Sequence, residues 1–393
     1  MNILVTGSKG FIGSNLLVWL RKMPDYRVFE FNQKNTQEEL TRSLNETDYI
    51  IHLAGINRPQ SVDEFTTGNV DLTARICQHL IALGRPTPIL LSSSIQVDLD
   101  NPYGVSKRQA EQVLADYAAR SGAAVTIFRL SNVFGKWCRP NYNSVVATFC
   151  HNIAHDLPIT ISDPAREVPL VYVDDVVEAF LAEVRSQESG VRDQRSEVRY
   201  QEARPIYTVT LGRLAELIRS FRESHHSLVV PDFSDPFVRK LYGTFLSYLE
   251  PGDFAYNLTQ RTDNRGALAE FVKSPPFGQI FVSRTKPGIT RGNHFHHTKT
   301  EKFLVLEGEA IIRFRDIRGR RSEVSGQESE VRDQESSEVI EYRVSGQDFR
   351  VVDIPTGYTH SIENVGPGEL VTLFWASEVF DPGRPDTVWE EVL

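Results

Sequence analysis

Cysteine is scarce in this chain: three residues, Cys77, Cys138 and Cys150, among 393. An odd count without metal-ligand spacing excludes a disulfide framework and reads as reduced thiols. Long apolar runs are missing too. Although 40% of the residues are hydrophobic, nothing approaches the roughly 18 consecutive apolar residues of a membrane span, so no membrane partner is expected. The first strand pattern starts at Asn2. That leaves no room for a signal peptide, and a cytoplasmic location is expected. Positive charge is in deficit, with 43 Lys and Arg against 52 Asp and Glu and a formal net charge of −9. Nucleic acid, whose phosphates demand a basic face, is therefore not an expected partner. A small anionic ligand stays compatible, because helix N-termini and a few arginines bind phosphate locally.

What is present divides into two patterns, as the length of the chain leads one to expect. From Asn2 to about Leu130 short apolar runs alternate with helical stretches: "NILVTG", "FIGSNLLVWLRK", "RVFEFN", "TQEELTRSL", "DYIIHLAG", "PILLSSS", "SKRQAEQVLADYAARSG" and "AVTIFRL". Strands alternating with helices predict βαβ units, hence a doubly wound parallel sheet covered on both faces. "VPLVYVDDVVEAFLAEV" and "YTVTLGRLAELIRSF" each add a strand and a helix. Beyond Ser224 the character changes, and from about Asp263 short strands separated by Gly and Pro turns predict an all-β sandwich or barrel. We place the first domain at 1–245 and the second at 246–393. Two segments fit neither pattern: "QESGVRDQ" and "QESEVRDQ" sit among Ser, Glu, Val, Arg and Gln repeats. Such sequence buries no apolar surface, so about 185–204 and about 318–345 read as surface insertions.

Within the first domain, "VTGSKGFIG" sets Gly7, Gly10 and Gly13 between a strand and a helix. The first glycine permits a tight turn, the second lets a pyrophosphate approach the backbone, and the third allows close helix packing. The second strand, "VFEFNQKN", ends without the carboxylate that binds the adenosine ribose of NAD. Asn32 stands there with Lys34 close by, and a neutral plus a basic group suits the 2′-phosphate of NADPH. Further on, Tyr103 and Lys107 of "NPYGVSK" lie four apart and share a helix face. A tyrosine titrates near 10, so proton transfer near neutrality needs a neighbouring cation, which the lysine supplies. The serine cluster of "LLSSSIQ" ends a strand at the sheet edge where such folds bind ligands.

In this order, the glycine turn, "HLAG", the serine cluster, YxxxK, "RLSNVFG" and "VYVDDV" resemble the extended short-chain dehydrogenase/reductase family, in its nucleotide-sugar branch, over residues 1 to about 220. The resemblance implies a Rossmann-type fold and a catalytic set of Ser94, Tyr103 and Lys107, with Ser93 the weaker serine. It carries cofactor contacts to Gly7, Gly10, Phe11, Ile12, Gly13, Asn32, Lys34, Ala54, Gly55, Tyr103 and Lys107. It places Asn132 and Arg166 where family members contact the nucleotide sugar. Sugar dehydratases of the family carry an Asp-Glu pair directly after the active-site hydroxyl residue. Ile95 and Gln96 stand here instead, which favours reduction of a ketosugar over loss of water.

In the second domain, "GNHFHHTKTEKF" and "PTGYTHSIEN" supply His294, His296, Glu301 and His360. Alternate residues of a strand point the same way, so His294 and His296 share a face and His297 faces away. Three imidazoles and a carboxylate suit Zn²⁺ or another divalent metal. The spacing resembles the two motifs of the cupin superfamily, with the leading glycine of the second displaced, and implies a jelly-roll barrel. "TDNRG" before it is similar to the entry segment of dTDP-4-keto-sugar 3,5-epimerases.

Together the two halves resemble a family of bacterial capsule-synthesis enzymes that fuse a ketosugar reductase to a metal cupin. This implies a homodimeric, bifunctional enzyme with a UDP-activated amino-deoxy ketosugar as substrate. The cupin domain would epimerise C3 of UDP-2-acetamido-2,6-dideoxy-4-hexulose. The reductase domain would then reduce C4 with NADPH to UDP-2-acetamido-2,6-dideoxy-L-talose, a precursor of UDP-N-acetyl-L-fucosamine. In the alternative reading the cupin is a non-catalytic binding or dimerisation module.

Overall fold

The chain folds into two units, seen in a computed structural model that describes residues 1–58, 61, 63–188, 198–317 and 338–393. One unit comprises Met1–Arg219 with Pro236–Pro251, the other Ser220–Asp235 with Gly252–Leu393. Residues 220–235, placed in the first domain by the boundary at 245, thus group with the second.

The first unit opens β1 (Asn2–Thr6), α1 (Phe11–Leu20), β2 (Arg27–Phe31), α2 (Gln37–Glu46), β3 (Tyr49–His52), α3 (Asp63–Phe65) and α4 (Leu72–Ala82). It continues β4 (Ile89–Ser94), α5 (Pro102–Ser121), β5 (Val125–Leu130), β6 (Asn132–Phe134), α6 (Val145–Ala154), β7 (Glu167–Tyr172) and α7 (Val173–Glu188). Last come β8 (Val198–Gln201), β9 (Ile206–Thr210), α8 (Leu211–Ser227), whose final turns belong to the second unit, and α9 (Pro236–Leu246). Six strands form a parallel sheet in the order β2-β1-β3-β4-β5-β8. Its strands are apolar on both faces because helices cover both. Ile3 and Val5 point into one core with Leu16 and Phe180, while Leu4 points into the other with Leu80 and Leu114. The chain runs from β1 out to β2, then crosses back to β3 on the other side. Sheets of this kind bind ligands beyond the carboxyl ends of their strands at such a reversal. A smaller sheet, β6-β7-β9, holds the later family signatures.

Both insertions are shorter than composition suggests. Residues 189–197 and 318–337, most of both repeats, lie outside the described residues. Val198–Gln201 pairs in parallel with β5, and Val198 packs on its core.

The second unit runs β10 (Gln260–Asp263), β11 (Gly266–Ser274), β12 (Gly278–Thr285), β13 (Thr290–Phe295), β14 (Glu301–Glu307) and β15 (Glu309–Asp316). It ends with β16 (Ile340–Ser345), β17 (Val351–Ile354), β18 (Tyr358–Asn364), β19 (Leu370–Ala376) and β20 (Val388–Trp389). Two antiparallel sheets, β10-β11-β12-β19-β14-β17 and β16-β15-β18-β13-β20, make an all-β jelly-roll barrel. Phe303 and Phe374 from one sheet and Ile312, Phe314 and Ile362 from the other fill the space between them. β16, read as insertion, pairs along β15 and buries Val344, because "IEYRVS" alternates at the period of a strand. Ahead of the barrel, Leu228 and Val230 bond to the backbone of Lys273 on β11, at 2.7 and 2.8 Å.

Candidate functional sites

The first site lies at the carboxyl ends of β1, β3 and β4. Gly7 leaves β1 at φ +68°, and a side chain on it would come within 2.7 Å of the Ala54 backbone nitrogen. A side chain on Gly13 would meet the Gly7 carbonyl at 2.3 Å. Gly10 caps α1 in an extended conformation. The first-turn amides of α1, those of Phe11 and Ile12 among them, have no intrahelical partner and suit an anion. After β3, Gly55 is pressed between Asn69 and Lys107: a Cβ would stand 2.8 Å from the Asn69 amide oxygen and 3.6 Å from Lys107 Nζ. Asn32 follows β2, and its side chain accepts from the Lys34 backbone N–H at 3.1 Å, leaving the Lys34 side chain exposed.

α5 begins at the cap Asn101, whose side chain accepts from the Gly104 N–H at 2.7 Å. Its first turns carry Tyr103 and Lys107 against β4. The Lys107 ammonium is buried and donates to the Ser92 carbonyl at 2.8 Å. Burial pulls its pKa down to about 8, while Glu111 opposes the fall. Burial raises the Tyr103 phenol above its ordinary value, and a hydrogen bond with Ser94 draws it back. The lysine-lowered phenol expected from the sequence is therefore not what dominates here. Tyr103 keeps its proton at neutral pH, the state required of a donor to a developing alkoxide.

The two serines separate cleanly. Ser93 donates to Glu111 at 2.5 Å, and Glu111 is paired with Arg129 at 2.7 Å, so Ser93 is committed to a buried network. Ser94 meets Tyr103. Asn132 and Arg166 stand apart from this cluster: Asn132 donates to the Pro169 carbonyl at 3.0 Å, and Arg166 is exposed before β7.

Two supporting residues escaped the sequence reading. Buried Asn69, in a π-helical stretch Thr66–Asp71, bonds the backbone of Ile56 on both sides and donates to Ser106 at 2.9 Å. It thereby fixes the Ala54–Ile56 turn against α5. His52, buried between Thr6 and Thr73 at 2.6 and 2.9 Å, has its pKa pulled down to about 3 by burial and by Lys107. It is a neutral crosslink between β1, β3 and α4.

The second site lies in the barrel. His294, His296, Glu301 and His360 bring one ligand atom each to within 4.8 Å of one another. His294 and His360 face each other across the β13–β18 ladder, and Glu301 opens β14. The Nε2 atoms of His296 and His360 are buried without a hydrogen-bond partner, each about one ligand-sphere width from Glu301, at 3.5 and 3.6 Å. Two orphaned imidazole nitrogens aimed at a carboxylate are costly unless a cation sits among them. The donor set thus fits a divalent metal. Burial and its two neighbouring histidines draw His294 down to about 4, keeping it neutral and ready to ligate. Burial pushes the Glu301 carboxyl up, but His296, His360 and Lys299 outweigh it and hold it well below the usual range. His297 is exposed and turned away.

Asp386, far along the chain, was invisible to motif reading. Its carboxylate accepts from the backbone amides of His297, Thr298 and Lys299 at 2.8 to 2.9 Å. Its carbonyl takes the Nδ1 hydrogen of His296 at 2.5 Å, which leaves Nε2 for the metal. A cavity of about 290 Å³ opens within this unit, walled in part by Glu301, Lys299, Gln279 and Phe281.

A parallel sheet with a glycine turn and a Ser/Tyr/Lys cluster, followed by a two-sheet barrel with a His/Glu cluster, defines a short-chain dehydrogenase/reductase joined to a cupin-type domain. Residues 3–198 match the NAD dependent epimerase/dehydratase family, and residues 261–388 match the polysaccharide biosynthesis C-terminal domain. The chain is 40% identical over 387 residues, 98% of each protein, to the UDP-2-acetamido-2,6-beta-L-arabino-hexul-4-ose reductase of Pseudomonas aeruginosa. It is similar to the crystal structure of the capsular polysaccharide assembling protein CapF from Staphylococcus aureus, at 44% identity, TM-score 0.86 and 100% coverage of both chains. A structure of CapF with the inhibitor 3-isopropenyl-tropolone is similar at 40% identity, TM-score 0.82 and the same coverage. The chain belongs to the CapF family of capsular polysaccharide assembling proteins.

Proposed function

We propose that the chain is a bifunctional, NADPH-dependent UDP-sugar enzyme of polysaccharide synthesis. In this reading the second unit epimerises C3 of UDP-2-acetamido-2,6-dideoxy-4-hexulose. The first unit reduces C4 to give UDP-2-acetamido-2,6-dideoxy-L-talose, on the route to UDP-N-acetyl-L-fucosamine. The reductase named for the Pseudomonas relative supports the substrate class.

NADPH supplies the hydride; the rest is done by side chains. Ser94 and Tyr103 hold the C4 oxygen, and Tyr103 gives its proton to the alkoxide that forms. Lys107 steadies the phenolate left behind. Asn32 and Lys34, without a carboxylate at the end of β2, support the 2′-phosphate. Asn132 and Arg166 are assigned to the nucleotide sugar.

For the epimerase, the observation that carries the reading is that Glu301 belongs both to the metal cluster and to the cavity wall. A divalent cation, Zn²⁺ or another, supplies a Lewis acid beside a carbonyl placed there. The C3 proton is acidified by the adjacent C4 ketone, so both units act next to the same carbon. The rival reading, a non-catalytic second domain, draws support from the four protein ligands, a count usual in structural zinc sites. Following C3 deuterium exchange in the 4-ketosugar without NADPH, with and without chelator, decides between them. Exchange that stops on chelation and returns with metal is expected; exchange persisting in folded, metal-free protein would remove the metal from the mechanism. NMR of the product formed with NADPH then reads C3 and C4 directly. A homodimer in the cytoplasm completes the proposal.

A further inference from the structure

Two strands of the barrel depart from strict alternation. On β11 an extra residue between Glu270 and Val272 brings Glu270 and Lys273, three apart, to one face, where they pair at 2.9 Å. That bulge is fixed by its own side chains. On β13 the register slips between Gly292 and His294, and Asn293 takes a left-handed φ of +58°. Arg291 points inward: it pairs with the core residue Ile362, and its Nε donates to buried Thr285 on the facing sheet at 3.0 Å. Unbroken alternation would then send His294 outward, with Gly292. The bulge at Asn293 is what turns His294, and two residues later His296, into the metal cluster.

A non-glycine residue at positive φ persists only where its surroundings hold it. Here the hold comes from residues 386–392. The Asn293 carbonyl accepts from the Glu390 N–H at 2.9 Å, and its side-chain oxygen accepts from the Val392 N–H at 3.5 Å. Trp389 pairs with His294, and the Asp386 carbonyl takes the Nδ1 hydrogen of His296. The segment thus grips the chain just before, at and just after the first ligand. Thr359 alternates with inward His360 and so faces outward, yet it is 0% exposed, its hydroxyl donating to the Glu390 carbonyl. Arg315 on β15, opposite Thr359, ties the segment down. Its guanidinium donates to the Val392 carbonyl at 3.1 Å, to the Glu390 carboxylate at 3.0 Å and to the Glu391 carbonyl. With side chains only 13% and 19% exposed, the Arg315–Glu390 pair is shielded from the solvent that weakens surface pairs.

We propose that residues 386–392 form a strap that holds the β13 bulge and, through it, the inward setting of His294, with Arg315 and Thr359 as positioning residues for the metal cluster. Neither is a ligand. Releasing the strap lets β13 return toward regular register and withdraws His294 from the cluster. The inference rests on the fit of the cluster to a divalent metal, and not on the C3 chemistry.

The test titrates the full chain with Zn²⁺ against a competing chelator. Arg315→Gln and Thr359→Val are each expected to weaken binding about 10- to 100-fold, the usual cost of losing outer support for a ligand. Arg315→Lys, which keeps a charge opposite Glu390, should recover part of the loss. His294→Ala weakens binding by itself, and adding Arg315→Gln to it should weaken it less than about twofold further, because both changes remove the same ligand. Full additivity would place the effect of Arg315 elsewhere and overturn the proposal, as would unchanged affinity in both single variants. Should Arg315→Gln fail to fold, Thr359→Val, which exchanges one hydroxyl for a methyl, takes its place in the cycle. If the parent binds no metal, the metal reading fails, and hydrogen exchange of the metal-free chain judges the strap by itself. Faster exchange in Thr359→Val over 290–295 as well as 386–392 supports it; exchange unchanged over 290–295 rejects it.

Discussion

In the proposed reduction, Glu111 is a residue away from the reacting atoms that would set the pH range. Burial alone depresses Lys107, and the Glu111 carboxylate one turn along α5 holds it near 8, the carboxylate itself being anchored by Ser93 and Arg129. Lys107 carries its charge below that pH and loses it above. NADPH oxidation is therefore expected to fall on the alkaline side with an apparent pKa of about 8. Glu111→Gln should move that limb to lower pH, because the group that raises the lysine is gone; a limb that stays put would contradict the assignment. If the proposed reduction is right, Tyr103→Phe removes its proton donor and should cost about 10²- to 10⁴-fold in kcat, measured at saturating NADPH. Of these residues, Tyr103, Lys107 and the glycines were legible in the sequence because each motif spans a few residues of one turn. Glu111, Asn69 and His52 were not, since their roles arise from neighbours that only folding brings together. The serine choice shows the same limit: composition puts Ser93 and Ser94 side by side, and the Glu111 network tells them apart.

Elements carry the barrel site. β13 supplies His294, β18 His360 and β14 the carboxylate, while His296 opens the loop between β13 and β14 that Asp386 holds from beyond β19. Asp386→Asn weakens three amide contacts at once. Metal affinity should drop about 10- to 100-fold in chelator competition, the usual cost of losing such outer support, while the fold persists. Behind the ligands, Phe303 and Phe374 meet edge to face at 4.4 Å in the core. Phe303→Ala should cost about 3–5 kcal/mol in denaturant unfolding of the second unit. Turn and strand signals made the barrel readable, and motif spacing singled out the four residues that the fold brings together, His294, His296, Glu301 and His360. The same signals missed β8 and β16, where polar repeats run up to a strand and composition averages over the join. The β11 bulge was hidden as well: strict alternation would have sent Glu270 and Lys273 to opposite faces.

At the scale of the whole molecule, no helix among the described residues is long and apolar enough to cross a membrane. Acid sensitivity is built into both units. His52 and His294 protonate at about 3 and about 4 when folded, against an ordinary value near 6.5 in the unfolded chain. Between those values the unfolded chain binds more protons, so stability falls as pH drops below 6.5 and is regained as it rises. The thermal midpoint should decline steadily from pH 6.5 toward 4; a flat profile would contradict both burials.

The segment 220–235 has a practical bearing. Leu228 and Val230 lengthen the ladder beside β11, and His226 and Leu228 form part of the cavity wall. A gene cut at residue 246, the boundary expected from the sequence, would express a barrel with one side of its chamber open to solvent. A cut before residue 220 keeps that wall. Weak or absent activity from the shorter piece would then report on where the scissors fell, and not on what the barrel does.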